Sequence, residues 1–198
     1  MAMIGLTRLK YAPHKSDTSA TAFPTIDTNA GFTIGAIASL DIKLNNAEGE
    51  QYGDDVLQEY ASEFTSADIT TEVCDVTLDV EKKLYSLTEG ESDAADEYYD
   101  ATTDSIGYGS LGGIQTIQRN GAKVYRGYIF NKVKPIKPDE SGSTKSGSIS
   151  FGTASLKFKA TAPANGKWRT RKEFTTLATA EEWLDGKLKV ATTANAGG

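Results

Sequence analysis

The sequence predicts a mainly β fold with one or two short helices, and three observations predict it. Apolar and polar residues alternate over two stretches, 34–44 and 74–80, as a half-buried strand requires. Two Asn-Gly pairs, Asn120-Gly121 and Asn165-Gly166, supply the left-handed backbone of two-residue hairpin turns. Twice, near Val73 and near Gly152, the apolar residues change parity within one run, which a bulge or a change of partner explains. The expected organiser is a strand within residues 65–90 that serves two sheets and leads into a helix.

The 198 residues read as a single domain, long enough to bury a sizeable core. One cysteine, Cys74, excludes an internal disulfide framework; its place in the alternation predicts an inert core thiol and synthesis in a reducing compartment. No run approaches the roughly 20 apolar residues of a membrane span, and residues 1–11 lack a signal-peptide hydrophobic segment, so a protein made in the cytoplasm is expected. The net charge of −6 is unevenly spread: residues 1–104 hold 6 Lys/Arg against 21 Asp/Glu, net −15, and residues 105–198 hold 15 against 6, net +9. Such halves fit a basic nucleic-acid face, contact between unlike surfaces of successive copies, or two faces neutralising each other inside one fold.

In chain order, residues 4–11 read as a first strand and the turn-rich HKSDTSATAFPTIDTNAG as an arm, so 1–33 form an N-terminal strand and arm. His14 has no acidic partners in view for a metal site and reads as a solvated loop residue. In 34–44, Ala36, Ala38, Leu40, Ile42 and Leu44 point inward and Ser39, Asp41 and Lys43 outward. The acidic stretch 45–64 reads as a long loop or a poorly formed hairpin. In 74–80, Cys74, Val76, Leu78 and Val80 share the apolar face, and Asp75, Thr77 and Asp79 the polar one. Val80, Leu84 and Leu87 then recur at helical spacing, with Asp79 as cap and Gly90 as stop. Residues 89–104 carry seven acids without the spacing of a calcium loop.

GYGSLG at 107–112 matches G-x-G-x-x-G, yet no apolar strand precedes it and no helix start follows, so it reads as the glycine-rich start of a strand. The stretch 123–133, KVYRGYIFNKV, has apolar groups on both faces and is expected to be buried twice, by the fold or by a neighbouring copy. Residues 134–148 have the composition of a mobile loop. A second bent strand is expected in 148–162, where Ile149 and Phe151 oppose Leu156 and Phe158 across Gly152. Asn165-Gly166 should turn a hairpin into 167–174, Thr179-Ala180-Glu181-Glu182 should open a helix with Trp183, Leu184 and Leu188, and 191–198 should be a flexible tail.

One histidine and one cysteine supply no nucleophile and base, and no carboxylate pair stands out from the acidic surface, so no catalytic, cofactor-binding or metal-binding residue is assigned. The order of elements nevertheless resembles a known family. The opening Ile4-Gly5-Leu6-Thr7-Arg8-Leu9-Lys10-Tyr11-Ala12, the 34–44 strand with its acidic sequel, the strand and helix of 75–90, the Asn120-Gly121 hairpin and the final Gly166-Lys167-Trp168 with its helix are similar to the major tail protein of long-tailed, non-contractile bacteriophages.

This resemblance, over nearly the whole chain, implies a tail-tube-type β-sandwich or half-barrel with a flanking α-helix. It also implies six copies closing into a hexameric ring, and rings stacking into the tail tube, the conduit for DNA ejection. The protein would then be a structural virion component and no enzyme. Its partners would be other copies of itself, a tape measure protein and tail-end proteins, with double-stranded DNA passing without specific binding. Ser39, Asp41 and Lys43, or Asp75, Thr77 and Asp79, would face the lumen; Tyr128 and Phe130 would make inter-subunit contacts steered by Lys132, Lys134 and Lys137. The rival class is a monomeric β-sandwich binding module, such as a carbohydrate-binding domain, whose exposed aromatics would cluster on one concave face. A nucleic-acid reading of 123–137 conflicts with the acidic balance of the chain.

Overall fold

The computed structural model describes residues 2–53, 56–90, 97–102, 104–137 and 153–191. Its architecture grows from one hairpin. Asn120 and Gly121 take φ of 52° and 80°, the mirror-image turn whose twist suits two right-twisted strands, and join β7 (Gly109–Arg119) to β8 (Ala122–Ile136). The glycine-rich 107–112 is thus the start of β7. The other edge of β7 pairs with the bulged β1 (Ala2–Pro13), which carries the short β2 (Phe32–Gly35). The other edge of β8 is shared. Its residues 125–130 pair with β10 (Arg169–Phe174), and its residues 133–136 with β9 (Ala154–Ala160). From β9 the sheet continues through β4 (Val56–Val73) to β3 (Ile37–Gly53).

The order is therefore β2-β1-β7-β8-β9-β4-β3, antiparallel throughout, with β10 forking off β8. Ala36 alone separates β2 from β3 in sequence, although they stand at opposite ends of that order, so the sheet must curl round on itself. At the corner the Cys74 N–H donates to the Ala36 carbonyl at 2.9 Å, and a Cβ on Gly35 would stand 2.6 Å from the Asp75 carbonyl oxygen.

Inside the curl lies the larger core, with Leu9, Tyr11, Ile69, Phe130 and Phe158 at its centre. The helix α1 (Leu78–Tyr85) closes it with Val80, Leu84 and Tyr85. On the opposite face of β1, β7 and β8, α2 (Leu177–Leu188) lays Ala180, Leu184 and Leu188 on Ala12, Ile114 and Ile129. Two glycines let it approach: a Cβ on Gly112 would meet Leu184 at 2.7 Å, and one on Gly127 would meet Trp183 at 2.5 Å. The fold is mainly β with flanking helices, and no helix among the described residues is long and apolar enough to cross a membrane.

Several sequence expectations need correction. Residues 74–80 are not a strand: β4 ends at Val73, and α1 begins at Leu78 after the N-cap Thr77, whose side chain makes no capping bond. The alternation Val76, Leu78, Val80 crosses a loop and a first helical turn, so the period of two there is accidental. Cys74 is accordingly exposed, not a core thiol. The strand that serves both ends of the sheet is the broken β2–β3, and Ser86, at φ 55°, ends α1 four residues before Gly90. Of the two readings of 45–64, the hairpin holds and the long loop does not, since 45–53 and 56–64 extend the β3–β4 hairpin.

Further along, residues 134–136 belong to β8, while the remainder of the expected loop, 138–148, lies outside the described residues, as do Ile149, Phe151 and Gly152. Asn165-Gly166 is a turn, with Gly166 at φ 73°, but it joins two strands that both pair with β8 and not with each other. The N-cap of α2 is Thr176, whose side chain accepts from the Thr179 N–H at 3.3 Å, three residues before the expected box. Residues 88–89 and 98–99 form a two-residue ladder, β5 (Thr88–Glu89) with β6 (Tyr98–Tyr99).

Two measurements check this architecture. Cys74 should react with a thiol reagent such as DTNB in the native protein without denaturant, whereas a core thiol would react only on unfolding. Gly127→Ala should destabilise the fold by about 1–3 kcal/mol through overpacking against Trp183, read by chemical denaturation.

Candidate functional site

The register of β3, β4, β9 and β8 arranges charge on the outer face of the sheet, away from the larger core. Lys43 stands opposite Asp68, Asp68 opposite Lys159, and Lys159 opposite Lys134, making one row across four strands. The next row is Asp41, Thr70, Lys157 and Ile136. Only one close ion pair lies along the first row, Lys159 to Asp68 at 3.7 Å. Asp41, Lys43, Lys134, Lys157, Lys159 and Ile136 are exposed. Beside the rows, Ile106, Tyr108, Lys134, Ile136 and Thr161 line a groove of about 520 Å³. Lys132 and Lys134 lie over the Tyr108 ring, at 4.6 and 5.7 Å from its centroid.

The candidate lumen residues separate into two groups. Ser39, Asp41 and Lys43 do share the outer face of β3, with Leu40 and Ile42 turned to the core. Asp75, Thr77 and Asp79 are exposed but do not form a strand face; Asp79 sits in the first turn of α1 and pairs with Lys83 at 2.7 Å.

Of the candidate inter-subunit residues, Tyr128 and Phe130 are 4% and 0% exposed, so these rings belong to the fold and offer nothing to a neighbour. The double burial of 123–133 is met inside one chain. Lys132 pairs with Asp17 at 2.6 Å, and Lys137 with Asp100 at 2.5 Å and Asp104 at 3.4 Å, so part of the charge split is neutralised within the molecule. Lys134 makes no ion pair with the described residues and is the basic candidate still open to a partner.

The hairpin β3–β4 is a second surface that the sequence concealed. From Val56 to Ser66, β4 pairs with β3 alone, and among the described residues β3 has no strand on its other edge. In this ribbon residues 46–51 and 59–63 are all exposed, with Glu48, Glu59, Glu63 and the half-exposed Tyr60 among them. Residues facing water on both sides carry no apolar alternation, which hid the strands.

The arm holds a buried polar knot. His14 is half-buried, its Nε2 lies 2.8 Å from Ser110 Oγ, and Ser110 Oγ donates to the Asn131 carbonyl at 3.1 Å. Asn131 in turn donates to the Lys167 carbonyl and to Thr170. A histidine beside a serine invites a nucleophile-and-base reading. Ser110 is only 5% exposed, however, and the His14 Nδ1 has no partner to orient the ring, so the pair pins the arm to β7 and β8. Asp17 strengthens the pin: burial raises its pKa, but Lys132 and the Ala164 N–H outweigh that and hold it below the usual carboxylate value. Among the described residues no cluster of three or more His, Cys, Asp or Glu is placed to hold a metal.

No protein-family model matches the chain, and no curated protein matches it.

Burial, opposed by Asp17 and assisted by Lys132, lowers the His14 pKa from 6.5 to about 4. The folded state therefore favours neutral imidazole. Its contribution is complete above pH 6.5 and falls by about 1.4 kcal/mol per unit as pH drops towards 4, because only the unfolded chain takes up the proton in that window. His14→Gln should flatten the dependence of stability on pH between 6.5 and 4, measured by urea unfolding across that range.

Proposed function

We propose that this chain is a structural subunit of the tail tube of long-tailed bacteriophages. Copies close into six-membered rings, the rings stack, and double-stranded DNA passes through the tube without being bound. The observation that carries the reading is the β3–β4 ribbon, a two-stranded extension exposed on both faces and, among the described residues, open along its edges. Isolated two-stranded hairpins are marginally stable in water, and an open strand edge is a template for pairing with another chain. Such a ribbon acquires a purpose when a neighbouring subunit covers it. The resemblance of the remaining elements to major tail proteins, without the expected strand at 74–80, supports the same reading, as does the crossing of unlike charge over the outer face, which suits head-to-tail contact repeated by rotation.

A lone binding module is supported less well. The exposed aromatics Phe23, Tyr60, Tyr99 and Tyr108 stand on four different segments, and lysines overlie Phe23 and Tyr108. The tape measure and tail-end partners, and the virion location, follow from the tube and stand or fall with it.

Negative-stain microscopy of the concentrated protein tests the proposal: rings or tubes are expected, and a particle that stays monomeric at every concentration and salt tried would defeat it. Replacing residues 47–62 by an Asn-Gly turn should leave the melting transition nearly intact while abolishing assembly. Raising salt to 1 M, where the Debye length is about 3 Å, should slow polymerisation, and Lys134→Glu with Lys159→Glu should do the same at low salt.

A further inference from the structure

A cleft of about 180 Å³ opens where the inner face of the sheet passes from apolar to charged. Across β7, β8 and β10 the register places Leu111 beside Phe130 and Arg169, then Gly113 beside Tyr128 and Arg171, then Gln115 beside Arg126 and Glu173. The cleft is lined by Gln115, Arg126, Arg169, Arg171 and Tyr128, with Leu40 and Ile42 of β3 contributing apolar side chains. Three guanidinium groups thus converge on one small space. Glu173 is already shared by Arg119, at 3.1 Å, and Arg126, at 2.7 Å. Arg169 lies over the Trp168 ring, 4.4 Å from its centroid, and among the described residues neither it nor Arg171 pairs with a carboxylate.

A second observation is independent of the charges. Tyr128 is 4% exposed, and its hydroxyl is buried with no hydrogen-bond partner. Burying a hydroxyl without a partner costs on the order of 1–3 kcal/mol in proteins, and a phenylalanine would fill the same volume without that cost. A Cβ on Gly113 would lie 2.5 Å from that oxygen, so the strand opposite makes room for it. Burial raises the phenol pKa, which keeps the group a donor at neutral pH. Burial, with a smaller contribution from the neighbouring Arg171, lowers the Arg169 pKa.

We propose that this cleft binds a small oxyanion, a phosphate or carboxylate group, through the forked donors of Arg169 and Arg171 with the Tyr128 hydroxyl as a third donor. Guanidinium forks match the paired oxygens of such groups, and a donor held in a partly dry site discriminates an oxyanion from chloride. The site is independent of tube assembly and is present in the single folded chain.

Inorganic phosphate is the probe, added to dilute protein and compared with sodium chloride at the same ionic strength, with binding read by calorimetry and by melting. Saturable binding of one phosphate per chain is expected, with a rise in Tm of about 3–6 °C at tenfold the dissociation constant. Arg171→Gln, at an exposed position, should weaken binding about tenfold or more. Tyr128→Phe should raise the Tm in chloride yet lower phosphate affinity, a combination that a purely structural tyrosine would not give. Equal melting in phosphate and chloride, or binding unchanged in both variants, overturns the site. If phosphate acts only by dissociating oligomers, the occupant is a carboxylate of a second copy and the free-anion assignment is wrong.

Discussion

The burial of residues 127–131 of β8 on both faces is the constraint on which the rest of the structure depends. Phe130 and Tyr128 enter the core inside the curled sheet, while Ile129 between them enters the smaller core under α2. A stretch with no wet face must have every backbone group paired, because an unpaired buried amide costs as much as a lost hydrogen bond. That requirement brings β7 to one edge and divides the other between β10 and β9. Gly112 and Gly127 follow from the same arrangement, since α2 cannot reach Ile129 with side chains in those places. The fork at β8 turns one sheet into two packed layers without a second hydrophobic core of equal size.

The curl places the ribbon. Because β2 and β3 are one run of chain broken at Ala36, β3 must leave β1 and pair with β4 on the far side of the core. Residues 67–73 of its partner β4 are held by β9; before Ser66, β4 and the part of β3 opposite it have only each other as strand partners among the described residues. Rigidity there rests on the β3–β4 ladder alone, helped at its root by Asn45, which donates to Asp68 at 2.8 Å, and by the Phe64 ring stacked 4.3 Å from Trp168.

Elements whose side chains divide cleanly between core and water were legible in the sequence. The first strand, the Asn120-Gly121 hairpin, the glycine-rich start of β7 and the second helix could be read, because each has one apolar face or a turn with a unique backbone requirement. Two failures have opposite causes. Residues 45–64 have too little apolar surface to decide between loop and hairpin, and 123–133 have so much that the sequence leaves open whether the fold or a neighbouring copy covers it. At 74–80 the period of two is misleading because four residues of loop, 74–77, and the first residues of a helix imitate alternation over seven positions. Neither proposed surface could be seen in advance: the charged rows depend on the register of four strands, and the arginine cleft gathers residues from β3, β7, β8 and β10.

The division of charge between the two halves of the chain acquires a physical meaning only in the folded molecule. Asp17 with Lys132, Asp100 and Asp104 with Lys137, and Asp68 with Lys159 join the acidic half to the basic half, while Arg8 with Glu181 and Lys10 with Asp185 run the other way and fasten β1 to α2. The exposed ones among them, such as Asp68 with Lys159, contribute about 0–1 kcal/mol each, a small return for a difference as large as −15 against +9. Charge left over after such pairing, acidic along the ribbon and basic along β8 and β9, acts at longer range. Fields of that kind orient approaching surfaces and speed their encounter more than they tighten the final contact. On the proposed tube reading, a subunit that meets its neighbours in one orientation, many times over, gains more from that steering than from any single strong pair.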